Sequence, residues 1–348
     1  MKIKKKKIIP LDRYIHKALY DNNFGYYMKS YPFGKNGDYI TAPNISILFS
    51  EMIAIWIISF WKKLNCPKEF NLIELGAGNG EMILQILKTF KKFSFFKDCC
   101  KINILEKSTN LMNIQKKKLA KENIKWLKDL NQISNIPNIF IANEFFDALP
   151  IKQFIKKKHQ WYERNVSFKS NKEITFIDIK VDIKEIEKKV GFKISFKQDF
   201  IEYSPLSIEY LKIISKKIND NNGGILIIDY GYLHYKMNNS LKSISKHRFT
   251  NVLENFGNAD ITHDISFKLI SKICKLFKLS NVKTTTQKEF LMRLGILERA
   301  EIITKNMLFS KKTDIFYRLK KLIHKNFMGE SFKVMFITKK ENKFKIGF

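Results

Sequence analysis

Apolar residues fall into two patterns along this chain, short unbroken runs and stripes of helical period, and they follow one another in the order of an open α/β sheet. A helical stripe over Leu11–Tyr20 breaks at Asp21-Asn22-Asn23-Phe24-Gly25, and residues 45–61 form a strongly apolar helix. Residues 72–75 predict a buried strand, followed by the turn Gly76-Ala77-Gly78-Asn79-Gly80 and a helix marked by Met82, Ile83, Ile86 and Leu87. Further strands are predicted at 101–106, 123–127, 139–142, 223–231 and 332–338, with a lysine-rich helix over 111–122. Between Lys152 and Asn222, runs at 154–155, 160–164, 174–181 and 193–203 predict short strands, and 205–218 a helix. Such an insertion between the fourth and fifth strands would form an antiparallel subdomain roofing a cleft. Residues 265–277 and 286–300 read as helices.

The glycine turn is where chemistry is first expected. Glycines at alternate positions bend the chain sharply out of a strand and leave backbone N–H groups facing a ligand. A dinucleotide-binding turn wants its third glycine one place after Gly80, where this chain has Glu81. An acid, Glu74, stands two residues ahead of the first glycine, and a second acid, Glu106, ends the next strand. A carboxylate at that strand end can accept hydrogen bonds from both ribose hydroxyls of a nucleoside. Beyond the fourth strand comes Asn143-Glu144-Phe145-Phe146-Asp147-Ala148-Leu149-Pro150, two carboxylates and an amide beside two aromatics. Small binding sites are built that way, from few polar groups in apolar walls. Asp229 ends the fifth strand and either faces the cleft or caps its turn.

Composition narrows the function classes. At 348 residues with 45% hydrophobic content the chain can bury a full core. No repeat or low-complexity linker divides it, so one unit with an embedded insertion is expected, segmented as 1–65, 66–150, 151–222 and 223–348. The net charge of +31 points at first to nucleic acid or an anionic membrane. Only six of the 64 basic residues are arginine, however, and lysine, isoleucine, asparagine and phenylalanine are raised together, as an A/T-rich genome would produce. Solvated lysine faces are therefore expected rather than a nucleic-acid track. Cys66, Cys99, Cys100 and Cys274 form no C-x-x-C pair, which argues against zinc or a disulfide framework and for a reducing compartment. The longest apolar patch, 52–61, is too short to span a bilayer, and no secretory pattern opens the chain. A bacterial cytoplasm is the expected address.

Several stretches together resemble the MidA family of class I methyltransferases. They are Gly25-Tyr26-Tyr27, Gly37-Asp38-Tyr39-Ile40-Thr41-Ala42-Pro43, Glu74-Leu75-Gly76-Ala77-Gly78-Asn79-Gly80, Ala142 through Pro150, Ile228-Asp229-Tyr230-Gly231, Ala259-Asp260-Ile261-Thr262, 290–300 and 328–334. The chain departs from the family at Ala77 and Asn79, where proline and arginine are usual, and at Lys152, which replaces a common arginine. The resemblance implies a Rossmann-like, seven-stranded, mostly parallel sheet with helices on both faces, an N-terminal helical segment and an inserted antiparallel subdomain. It implies S-adenosylmethionine as cofactor, held by Glu74, Gly76, Ala77, Gly78, Gly80 and Glu106, with Thr41 and Pro43 closing over it. It further implies Glu144, Asp147 and Asn143 as the catalytic group, no metal, and protein arginine as acceptor, in a subunit of respiratory NADH dehydrogenase. A non-catalytic assembly factor and an RNA methyltransferase are the competing classes. Sequence leaves the oligomeric state open.

Overall fold

A computed structural model describes residues 7–29, 41–169, 173–245 and 248–348. Of the segment 37–43, only Thr41, Ala42 and Pro43 fall within the described residues. Seven strands make the main sheet: β1 (Phe70–Leu75), β2 (Cys100–Leu105), β3 (Ile124–Leu127), β4 (Asn138–Asn143), β5 (Gly223–Tyr232), β6 (Asn281–Thr286) and β7 (Phe332–Thr338). Their order is β3-β2-β1-β4-β5-β7-β6, and the two-residue strand Ile265–Ser266 pairs with the end of β5 as an eighth member. The first five run parallel, and β7 lies antiparallel between β5 and β6. Strand order reverses between β1 and β4, so their carboxyl ends open a crevice there.

Why the elements form follows from the runs. Every residue of β1 is buried, as a central parallel strand covered on both faces requires. One face is covered by the helix Ile47–Lys63, whose Trp56 and Phe60 pack on Phe336, and by the helix Glu81–Phe90. The other face is covered by Pro205–Asn221 and Phe267–Leu276. Ser204 and Ser266 cap these two helices through their hydroxyls. A third, smaller core joins Leu11, Tyr14 and Ile15 of the first helix to Ile151, Val166 and Ile261.

The insertion forms an antiparallel sheet of Phe200–Tyr203, Lys152–Lys157, Gln160–Phe168 and Ile174–Val181. Lys7–Pro10 adds to the same sheet against Gln160–Phe168, so the chain's first described residues are bound to the insertion. Sequence and structure differ in places. The strand expected over 193–203 is confined to Phe200–Tyr203, and the helix Ile183–Val190 precedes it. The helix expected over 286–300 is broken, because Gly295 takes φ +83° and starts a second helix, Ile296–Thr304.

Candidate active site

The turn after β1 is built from residues in the left-handed region: Gly76, Gly78 and Gly80 have φ of +67°, +53° and +75°. A Cβ on Gly76 would stand 2.9 Å from the ring of Phe145, so β1 and the loop after β4 can meet only over a glycine. Asn79 accepts the Glu81 amide at 3.1 Å and donates to Asn44 at 2.9 Å, tying the turn to the short helix Ala42–Ile45. The asparagine that departs from the family pattern thus has a structural partner on the N-terminal segment.

Two cavities open beyond the carboxyl ends of β1, β2 and β4. The larger, about 930 Å³ including its mouth, reaches from Gly76, Gly78 and Glu106 to Glu144, Asp147 and Asp260. The smaller, about 400 Å³, is lined by Thr41, Pro43, Glu74, Ala77, Asn143 and Glu144 among others. Thr41, Gly76, Gly78 and Glu144 belong to both, so they form the divide between the two spaces. Of the site residues expected from sequence, only Gly80 lines neither cavity. Its missing Cβ faces Leu119 and Gln115 at 3.3 and 3.5 Å, which makes it a packing glycine under the helix Thr109–Lys118.

The acids differ in what holds them. Glu74 is buried with Oε2 lacking a partner among the described residues, and burial, then the nearby Glu106, pushes its carboxyl up to about 8. Glu106 is also raised by burial, but its oxygens accept the Ser108 amide and the Gln115 side chain, both at 2.9 Å. Glu144 takes φ +49°, a position unfavourable for a non-glycine residue. It is held there by its amide donating to the Ile228 carbonyl at 2.9 Å. Its carboxyl accepts from Asn143 at 3.3 Å and from the Ala42 amide, and burial, then Asp147, raises it to about 8. Asp147 accepts from the Thr262 hydroxyl at 3.0 Å through Oδ2 and from the Tyr230 hydroxyl, its Oδ1 has no partner among the described residues, and burial raises its pKa. Asn143 likewise leaves Oδ1 without a partner among the described residues. Across the two cavities, three buried acceptors thus lack a hydrogen-bond partner among the described residues, and unpaired buried oxygens are costly until a donor arrives.

A family model described as "Putative S-adenosyl-L-methionine-dependent methyltransferase" matches residues 52–283. The chain belongs to this methyltransferase family. Proteins named "Protein arginine methyltransferase NDUFAF7, mitochondrial" are 28% identical in both Xenopus laevis, over 93% of this chain and 78% of theirs, and Homo sapiens, over 87% and 73%. A superfamily member from Burkholderia thailandensis, solved with S-adenosyl-homocysteine bound, superposes at TM-score 0.81 with 22% identity, covering 98% of this chain and 90% of that one. That likeness shows the fold.

The candidate site is also supported by Gln115, for which the sequence carried no signal. Gln115, fully buried, donates to the Gly78 carbonyl and to Glu106, both at 2.9 Å, and accepts from the Trp126 indole at 3.0 Å. One amide thereby fixes the turn to the acid beside it. Replacing Gln115 with leucine strands all three partners, each at about 1–3 kcal/mol. Isothermal calorimetry should show cofactor affinity falling about tenfold or more. Asp229 resolves as a cap: its carboxylate accepts the amides of Phe146, Asp147 and Tyr230 at 3.2, 3.3 and 3.0 Å. Tyr20, Tyr27, Tyr210 and Tyr230 are among the residues lining the larger cavity. Tyr20 stacks on Tyr27 at 5.6 Å and donates to the Ala148 carbonyl, Tyr27 donates to Asp260, and Tyr210 packs edge-on against Phe145.

The raised acids fix a pH dependence. An unfolded glutamate ionises near about 4.3, whereas folded Glu74 and Glu144 do so at about 8. The folded state then holds more protons, so their contribution to stability is complete below the unfolded value and is lost as pH rises through about 8. The melting temperature of the ligand-free protein should fall between about pH 4 and about pH 8 and level off above that. Glu74→Gln should remove part of that fall, and a saturating cationic ligand should flatten it, both readable by differential scanning fluorimetry.

Proposed function

We propose that this methyltransferase modifies arginine side chains of a protein, with Glu144 as the group that offsets charge between donor and acceptor. The observation that carries the proposal is the placement of Glu144 on the divide between the two cavities, next to the oxygens of Asn143 and Asp147 that have no partner among the described residues. The names of the mitochondrial relatives point the same way.

S-adenosylmethionine supplies an electrophilic methyl group on a cationic sulfur. Glu74 Oε2 is the acceptor we assign to its ammonium, Glu106 to its ribose, and Gly76, Ala77 and Gly78 to the backbone cradle. Thr41 and Pro43 cover it from the N-terminal side. Arginine stays protonated at neutral pH, with a pKa above about 12, so two cations must be brought into contact. Glu144 and Asp147 counter that repulsion, and approaching positive charge pulls the Glu144 carboxyl back down from the value to which burial has raised it. Asn143 orients Glu144 through its amide. When the guanidinium nitrogen gains a methyl group it sheds a proton, and a carboxylate raised toward neutrality is a better acceptor for it than an ordinary one. The remaining contribution is alignment and exclusion of water by the tyrosines lining the larger cavity.

We further assign a subunit of respiratory NADH dehydrogenase as the acceptor protein, on the family resemblance, and a bacterial cytoplasm as the location, supported by four unpaired cysteines. Labelled methyl transfer into a cell extract, followed by mass spectrometry of the marked protein, tests both halves. Methylarginine in a subunit of that complex is the expected result. Label on lysine, on RNA or on nothing would refute the assignment.

A further inference from the structure

The corner between the helices Ile296–Thr304 and Phe309–Ile323 is solvent-exposed. Met307, Leu308 and Phe309 are consecutive and 41%, 72% and 84% exposed, and Ile302 one turn earlier is 66% exposed. Every residue from 305 to 314 is exposed. In the second helix Ile315 and Phe316 pack partly on the core and Leu319 and Leu322 are buried, so only the stretch before Ile315 is exposed throughout. Lys305, Lys311 and Lys312 flank these residues in the chain and are exposed with them. Of the acids nearby, Asp314 is taken up by Arg318 at 2.7 Å, and Glu301 lies on the preceding helix.

We propose that this corner docks the protein on an anionic phospholipid bilayer. Three large apolar side chains in a row at an exposed corner match neither the helical nor the strand period by which a protein groove reads a ligand. They do suit insertion at the boundary of headgroups and acyl chains, with the flanking lysines at the level of the phosphates. The contact is peripheral: among the described residues no helix is long and apolar enough to cross a membrane. It is also connected to the active cleft. Arg318 of the same helix donates to the Ile45 carbonyl at 3.3 Å, and Ile45 ends the short helix that begins just after Thr41 in the cavity wall. Docking would therefore hold the cofactor-side wall at a fixed height above the bilayer.

Cosedimentation of the full chain with phosphatidylcholine vesicles, and with vesicles of phosphatidylcholine and phosphatidylglycerol, tests this. Binding is expected to the second kind only. The double variant Leu308→Ser, Phe309→Ser should lose about tenfold or more of it, and so should Lys311→Glu, Lys312→Glu. Phe249→Ser, at a residue 76% exposed elsewhere on the surface, should bind as the unaltered chain does. All these residues are exposed, so melting temperatures should stay unchanged and separate lost docking from lost folding. Undiminished binding by the Leu308, Phe309 variant would mean that scattered lysines adsorb the chain, and would overturn the proposal. So would failure of the unaltered chain to bind phosphatidylglycerol vesicles.

Discussion

Glu144→Gln should lower the methyl-transfer rate constant about 10²–10³-fold while leaving cofactor affinity within about threefold. Glutamine keeps the shape, and its carbonyl can still accept from Asn143 and from the Ala42 amide. The backbone position, φ +49° with the amide on the Ile228 carbonyl, makes no demand that glutamine fails to meet. What disappears is the negative charge, which matters when a guanidinium and a sulfonium are forced together in a water-poor crevice. Ligand-free, the variant should be at least as stable as the parent at about pH 9, because the buried carboxyl at this position no longer has to ionise. Rate constants from labelled methyl transfer and dissociation constants from calorimetry provide the check. An unchanged rate would remove Glu144 from the chemistry. A large loss of cofactor affinity would instead place it in the donor site.

Such a residue could be picked out of the sequence because strands and glycine turns write themselves locally. The run into Gly76-Ala77-Gly78-Asn79-Gly80, and the strand before Asn143, place two carboxyl ends side by side once a parallel sheet is assumed, and the register of β1 on β4 does so in the structure. Gln115 carried no such signal. It sits in a helix next to Lys116, Lys117 and Lys118, where a polar residue reads as solvent-facing, and only the fold turns it inward to Gly78 and Glu106. Asp229 was ambiguous for the same reason: a strand-end acid points to ligand or to backbone, and three amides settle which. Tyr20 and Tyr27 reach the cavity from a segment far away in sequence, so no spacing rule could have found them. Gly80 shows the converse, since a motif position common to the turn contacts a helix rather than the cavities.

Gly78→Val should abolish measurable cofactor binding, with affinity lowered about a hundredfold or more. At φ +53° any Cβ is strained, by about 1–2 kcal/mol, and a β-branched side chain more so. The turn cannot relax away from that strain, because the Gly78 carbonyl is held by Gln115 and its neighbour Asn79 by Asn44. Gly78 lines both cavities, so the added carbons compete for the space of a ligand that must approach the backbone closely. Gly80→Ala provides the contrast. Its methyl would press on the side chains of Leu119 and Gln115, away from both cavities, so melting temperature should drop while affinity changes less than at Gly78. Calorimetric titration with S-adenosylmethionine and its demethylated product, run beside thermal melts of both variants, distinguishes the two glycines. Normal binding by Gly78→Val would contradict the close approach of donor to backbone, and a loss at Gly80 as severe as at Gly78 would mean that affinity follows turn stability rather than contact.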